Sequence, residues 1–330
     1  MRSRITPSVV TADLGAHPAT VAWAEATGDR GAPSEIQVLK EPGSRLLSSA
    51  VYRLSGIGPT GAGVIAKRCR RHEGDIERFV YERIVPLLPL PHLVLYADHL
   101  DADDRVMWLF LEEATGIQFS YAVSEHRRAA ADWLAGVHAG TRDSPLLEEL
   151  PDRGPAHYHD HLVSANAKIE SSLANPVATP EDIQTLREVQ SHLERIEHGW
   201  GGLGEICAEL PRALVHGDFK RTNLRVIESR RNSSLQVFDW AEAGYGIVGV
   251  DLFQVDLERY GESVRDTYPC LTGNLLRECR GIGTAFRALA SVDWEASRLK
   301  YQWIKRAMRH MRIYEQWLSE SLEEASWVVR

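Results

Sequence analysis

At 330 residues the chain exceeds what one hydrophobic core usually serves, since single cores stop growing near ~250–300 residues, so two lobes are expected. Its composition, 44% apolar and 25% charged, is that of an ordinary globular protein, and a formal net charge of −8 argues against a nucleic-acid partner, whose phosphates call for a basic stripe. Cys69, Cys207, Cys270 and Cys279 form no C-x-x-C pair, so neither a zinc site nor a disulfide framework is indicated. No run approaches the ~20 apolar residues of a membrane helix, and no apolar core follows the basic start, so neither a membrane nor a secretory signal is expected and the reducing cytoplasm is the expected location.

In chain order, residues 1–35 mix short apolar pieces with Gly, Pro, Ala and Thr and yield no assignable element. Residues 36–39, 50–54 and 64–67 read as strands separated by Gly, Pro and Ser turns. Residues 75–88 read as a helix, with Ile76, Phe79, Val80, Ile84 and Leu87 at helical spacing. Two further strands are predicted over 92–96 and 106–111, split by the turn formers Asp101-Ala102-Asp103-Asp104. After Glu112-Glu113 helical patterns take over, at 124–139, 165–173, 180–196 and 294–324. The tryptophans of the last stretch, Trp294, Trp303, Trp317 and Trp327, read as core. Residues 1–112 are therefore expected to form a small β-rich lobe and residues 113–330 a larger helical lobe, an α+β organisation.

One stretch interrupts the helical half. His216-Gly217-Asp218-Phe219-Lys220-Arg221-Thr222-Asn223 is followed by two alternating runs, Leu224–Ile227 and Leu235–Phe238, joined by a polar turn, and then by Asp239. The pattern predicts a β-hairpin that carries two carboxylates and an amide. Phosphoryl transfer from a magnesium nucleotide asks for such a set: one carboxylate to orient the acceptor hydroxyl, an amide and a second carboxylate to hold the metal. Asp218, Asn223 and Asp239 are the candidates for these tasks. Lys67, closing the strand Val64-Ile65-Ala66-Lys67, can place an ammonium on the nucleotide phosphates, and the string echoes the V-A-I-K of protein kinases. Glu77, on the helix that follows, is the chosen partner of Lys67, with Glu73, Asp75 and Glu82 as rivals. Lys220, two residues after Asp218, is either a second contact for the transferred phosphoryl or a solvated loop lysine.

Two other patterns compete. Gly56-Ile57-Gly58-Pro59-Thr60-Gly61 matches G-x-G-x-x-G, but a β-branched strand follows it where a dinucleotide site needs a helix N-terminus, so a plain turn is expected. Gly43-Ser44, at the first strand turn, is the better candidate for a phosphate loop. His157, His159 and His161 would share a face at strand spacing, yet they follow a loop signal and lack a matching second group, so no metal is assigned to them.

These motifs resemble the aminoglycoside phosphotransferase/choline kinase family, small-molecule kinases of the bilobal protein-kinase-like fold. His216-Gly217-Asp218 through Asn223 is similar to the family's H-G-D-x-x-x-x-N loop, and Val237-Phe238-Asp239-Trp240 to its D-F-G counterpart. Gly249-Val250-Asp251-Leu252 resembles its G-x-D-L element, whose aspartate buttresses the catalytic loop, and Leu134–His138 its L-A-x-L-H helix. The resemblance implies ATP or GTP as donor and a small-molecule hydroxyl as acceptor. It implies Asp218 as base, Mg²⁺ on Asn223 and Asp239, Lys67 on the phosphates, and a hinge at Leu111-Glu112-Glu113-Ala114 whose backbone reads the nucleobase. The lysine after Asp218 is shared with Ser/Thr protein kinases, but no A-P-E follows Asp239 and the stretch to Asp251 is too short for an activation segment. A catalytically inactive kinase-like binding protein is the alternative from a different class. Neither the acceptor nor the oligomeric state can be read from the sequence.

Overall fold

The computed structural model describes residues 8–41, 49–229 and 233–323. They form two compact units: Met1–Phe119 with Lys220–Glu242, and Ser120–Phe219 with Ala243–Arg330. The division expected near residue 113 falls at Phe119, and the hairpin assigned by sequence to the helical half groups with the β-rich unit.

The first unit is built on a six-stranded antiparallel sheet of order β1-β2-β3-β4-β6-β5, with β1 at Ser8–Val10, β2 at Glu35–Lys40, β3 at Ala50–Ser55, β4 at Val64–Arg70, β5 at Leu95–Leu100 and β6 at Val106–Glu112. Helix α1, Pro18–Thr27, lies in the stretch that resisted assignment. Pro18 at its first turn and Gly28 in a left-handed C-cap (φ 78°) bound it, and the His17 ring accepts the Ala19 N–H at 3.2 Å. Alternation along the strands separates two faces. Val64 and Ala66 of β4 join Trp108 and Phe110 of β6 in a core closed by Trp23 of α1, whose ring meets Phe110 edge-on at 5.2 Å. Lys67 and Cys69 take the opposite face, against α2, Arg71–Phe79.

The helix expected over 75–88 is thus shorter and starts earlier. It passes into a π-turn at Val80–Ile84 and a 3₁₀ turn at Val85–Leu87, where Pro86 has no N–H to continue the ladder. The strand expected at 92–96 begins three residues later, as β5. Gly58–Gly61 is a short turn with no helix after it, as the sequence implies.

After β7, Ile117–Gln118, the chain enters the second unit through α3, Ser124–Thr141; β8, Asp152–Arg153; α4, Pro155–Ser172; α5, Pro180–His198; α6, Trp200–Glu209; and β9, Arg212–Val215. It returns to the first unit with the hairpin β10, Leu224–Ile227, and β11, Ser234–Val237, in the antiparallel register Leu224↔Val237. It then completes the second with β12, Gly244–Ile247; α7, Leu257–Ser263; α8, Gly273–Ala296; and α9, Lys305–Glu323. The single helix expected over 294–324 is two helices, since α8 ends at Ala296 and α9 starts at Lys305. Trp303 between them is 73% exposed, Trp317 packs on Phe253 and Tyr314, and Trp327 lies outside the described residues. No helix among the described residues is long and apolar enough to cross a membrane.

Candidate active site

In the first unit, Lys67 sits inside β4 and not at its end, paired to Val51 of β3 and Leu109 of β6. Its ammonium donates to Glu77 Oε2 at 2.5 Å and to Asp239 Oδ1. Glu77 is fully buried on the sheet-facing side of α2 and also accepts the Trp240 backbone N–H. Of the four rival carboxylates, the geometry selects Glu77.

One ammonium therefore serves two carboxylates. Burial alone would lower the Lys67 pKa, but the Asp239 and Glu77 charges outweigh it and hold the group well above its ordinary value. Glu77 is pushed up, first by burial and then by Asp239, against the pull of Lys67. Both shifts follow from one ammonium held between two carboxylates, of which Glu77 is buried while the Asp239 side chain is 41% exposed.

The hairpin register sets Asn223 opposite Phe238, whose N–H donates to the Asn223 carbonyl at 3.1 Å, so Asn223 and Asp239 share one end of the hairpin. Asp239 has φ 73°, a left-handed conformation that Asp tolerates better than most residues. Among the described residues no group of three or more His, Cys, Asp or Glu could hold a metal. Magnesium does not need one: it binds through one or two protein oxygens and completes its octahedron with phosphates and water. The side-chain amide oxygen of Asn223 and the partly exposed Asp239 carboxylate fit that demand.

Lys40 at the end of β2 is a cation that sequence reasoning missed. It lies within electrostatic reach of Asp239, Lys67 and Lys220, and burial followed by those neighbours lowers its pKa despite Asp239. Lys40 thus adds a further positive charge near Asp239 and Lys67, a setting suited to a polyphosphate. Gly43 and Ser44 fall outside the described residues. Glu112 ends β6, where its N–H donates to the Val94 carbonyl at 2.8 Å, and Ala114 follows beyond the strand.

In the second unit, the loop after β9 is tied through three consecutive backbone N–H groups. Asp251 accepts the His216 N–H at 2.6 Å and the Gly217 N–H at 3.1 Å, while His216 Nδ1 accepts the Asp218 N–H at 3.2 Å. Gly217 has φ 73°, where a side chain would be strained. Behind Asp251, His138 of α3 places Nε2 at 3.7 Å from Oδ2 and holds the Tyr260 hydroxyl through Nδ1 at 2.8 Å. The backbone of 248–251 presses directly on α8: a Cβ at Gly249 would collide with the Cys279 carbonyl, and one at Gly283 with the Gly249 carbonyl. That close approach carries Arg287, one helical turn beyond Gly283, to Asp218. Sequence reasoning did not single out Arg287, although a charge inside the apolar run Ala285–Val292 was a usable signal.

The histidine triad does not assemble. On the helix α4, the rings of His157 and His161 meet edge-on one turn apart at 4.7 Å, while His159 points to Glu197 at 3.0 Å and His161 to Asp293 at 2.8 Å.

A sheet lysine paired to a helix glutamate and an H-G-D loop buttressed by a later aspartate define a phosphotransferase of the protein-kinase-like fold. The sequence model of the phosphotransferase enzyme family (APH) matches residues 48–269, and the chain belongs to that family. A search of curated protein sequences finds no match. Among solved structures, the fold is similar to the GDP and kanamycin complex of APH(2")-IIia, with TM-score 0.61 and 13% identity, over 90% of this chain and 98% of that one. It is also similar to a microcompartment-associated aminopropanol kinase (TM-score 0.57, 13% identity, 87% of this chain and 92% of that one). A Plasmodium vivax ethanolamine kinase matches with TM-score 0.53 and 11% identity, over 87% of this chain and 81% of that one.

Proposed function

We propose that the protein transfers the terminal phosphoryl group of ATP or GTP to a hydroxyl of a small molecule, of the amino-alcohol, aminoglycoside, sugar or nucleoside type. The observation that carries the reading is the buried Lys67–Glu77 pair with Asp239 on the same ammonium. A lysine held this way is kept charged and aimed, despite a desolvation penalty that a purely structural surface lysine would not incur. Of the similar structures, one is a complex with GDP and kanamycin, and two are kinases of the amino alcohols aminopropanol and ethanolamine.

In this reading Lys67, with Lys40 and Lys220 nearby, offsets phosphate charge, and the segment Glu112–Ala114 borders the nucleobase. Asn223 and Asp239 would hold Mg²⁺, which when bound neutralises charge on the phosphates. Asp218 orients the acceptor hydroxyl and takes its proton as the bond to phosphorus forms. Most of the acceleration comes from positioning and electrostatics, because a loose phosphoryl-transfer transition state leaves little covalent chemistry to the protein.

The test is Asp218→Asn, measured by calorimetric nucleotide binding and by nucleotide consumption across a panel of aminoglycosides, amino alcohols, sugars and nucleosides. Retained binding with turnover lost is expected. Full turnover in the variant refutes the mechanism, and absence of magnesium-dependent nucleotide binding in the wild type favours an inactive kinase-like binding protein.

A further inference from the structure

Arg287 is 5% exposed and both arms of its guanidinium are engaged at the H-G-D loop. Nη1 donates to the Gly217 carbonyl at 2.6 Å and Nη2 to Asp218 Oδ1 at 2.6 Å. Burying a guanidinium beside a carboxylate that is itself 7% exposed costs several kcal/mol per ion unless the geometry is good, and an apolar pair of similar volume is often as stable. Stability alone is therefore a poor reason for this pair.

What the fork achieves is geometric. A planar donor that grips the backbone oxygen of one residue and the side-chain oxygen of the next fixes both the peptide plane and the carboxylate plane. Asp251 holds the N–H groups of His216 and Gly217 in the same loop, so Arg287 supplies the restraint those bonds leave open, the rotation of the Asp218 carboxylate. The titratable groups around the guanidinium are the carboxylates of Asp218 and Asp251 and the neutral hydroxyls of Tyr121 and Tyr314. Burial alone would lower its pKa, but Asp218 and then Asp251 raise it, so the fork stays charged and keeps all its donors.

We propose that Arg287 is a positioning residue that sets the orientation of the Asp218 carboxylate for its encounter with the acceptor hydroxyl. The inference rests on the role given to Asp218 above. With Nη1 and Nη2 both engaged by the loop, Arg287 acts through Asp218. The close approach of Gly249 and Gly283 is then the means by which α8 delivers the guanidinium to the loop.

The test uses the full chain and a defined reaction, the slow release of inorganic phosphate from magnesium ATP or GTP with water as acceptor. Arg287→Met is expected to lower kcat by about 100-fold, the scale of a misplaced reacting group, with nucleotide KM unchanged. In an Asp218→Asn background the same change should have no further effect, because a residue acting through another cannot act when that other is removed. Arg287→Lys should recover part of kcat, and guanidinium ion at millimolar concentration should restore phosphate release to Arg287→Ala. These two arms keep the idea testable where Arg287→Met unfolds, since a purely structural role predicts no rescue by the small cation. Wild-type kcat in Arg287→Met, or equal losses in both backgrounds, overturns the proposal for Arg287 while leaving Asp218 in place. Unimpaired phosphate release in Asp218→Asn alone overturns instead the reading on which it rests.

Discussion

Removing Asp251 should loosen the H-G-D loop and destabilise the second unit. The side chain is 1% exposed and accepts two backbone N–H groups, of His216 at 2.6 Å and Gly217 at 3.1 Å, in a loop whose His216 is itself 1% exposed. In Asp251→Ala the buried His216 N–H and the part-buried Gly217 N–H both lose their acceptor. A buried donor left unpaired costs about 1–3 kcal/mol, and the Gly217 N–H, which water can reach, adds less, against a typical domain stability of roughly 5–15 kcal/mol. Water entering the cavity would bring the figure toward the lower end. Asp251→Asn keeps one carbonyl acceptor but turns an NH₂ toward a backbone N–H, so its cost should be intermediate. Urea unfolding followed by tryptophan fluorescence reads the effect as a lower midpoint of the transition, in the order wild type, Asn, Ala. A midpoint for Asp251→Ala equal to wild type, with the same slope, would refute the claim that these two hydrogen bonds hold the loop.

Two further outcomes are expected. Burial pushes the thiols of Cys69, Cys207 and Cys279 up to about 12, whereas Cys270 is exposed, so a thiol reagent on the native protein at neutral pH should modify one of the four and Cys270→Ser should abolish the signal. Mass-spectrometric mapping of a label at any other cysteine contradicts this. Burial, then the charges of Arg153 and His161, pull the His157 pKa from 6.5 to about 4. The folded chain thus binds fewer protons at this site than the unfolded chain, and the associated stability is complete above pH 6.5 and lost as pH falls through about 4. His157→Gln should flatten the decline in melting temperature between those values, and an unchanged decline would count against it.

Much of the site was legible because its signals are local. The hairpin declares itself by alternation on both sides of a polar turn, and Lys67 and Glu77 lie in a strand and a helix adjacent in sequence, so spacing suffices to propose their pairing. Arg287 and Lys40 reach their partners only through tertiary packing. Arg287 depends on two glycines that let α8 touch the 248–251 turn, and Lys40 on the sheet bringing β2 to Asp239. The gap between α8 and α9 was hidden for another reason: Ser297–Ile304 holds neither Gly nor Pro, so no breaker marks it. Helix α1 did carry its punctuation, Pro18 and Gly28, but its apolar residues are mostly small alanines, which blur the helical stripe.

The left-handed backbone of Asp239 separates charge from architecture at a single codon. Most residues would be destabilised by roughly 1–2 kcal/mol at φ 73°, whereas Asn, like Asp, visits that region readily. One base change can therefore replace the carboxylate by an amide while the hairpin end keeps its shape. Most other replacements, glycine excepted, would strain the backbone at this position. A lineage of such proteins has two quiet routes to losing this charge, one through asparagine and one through glycine.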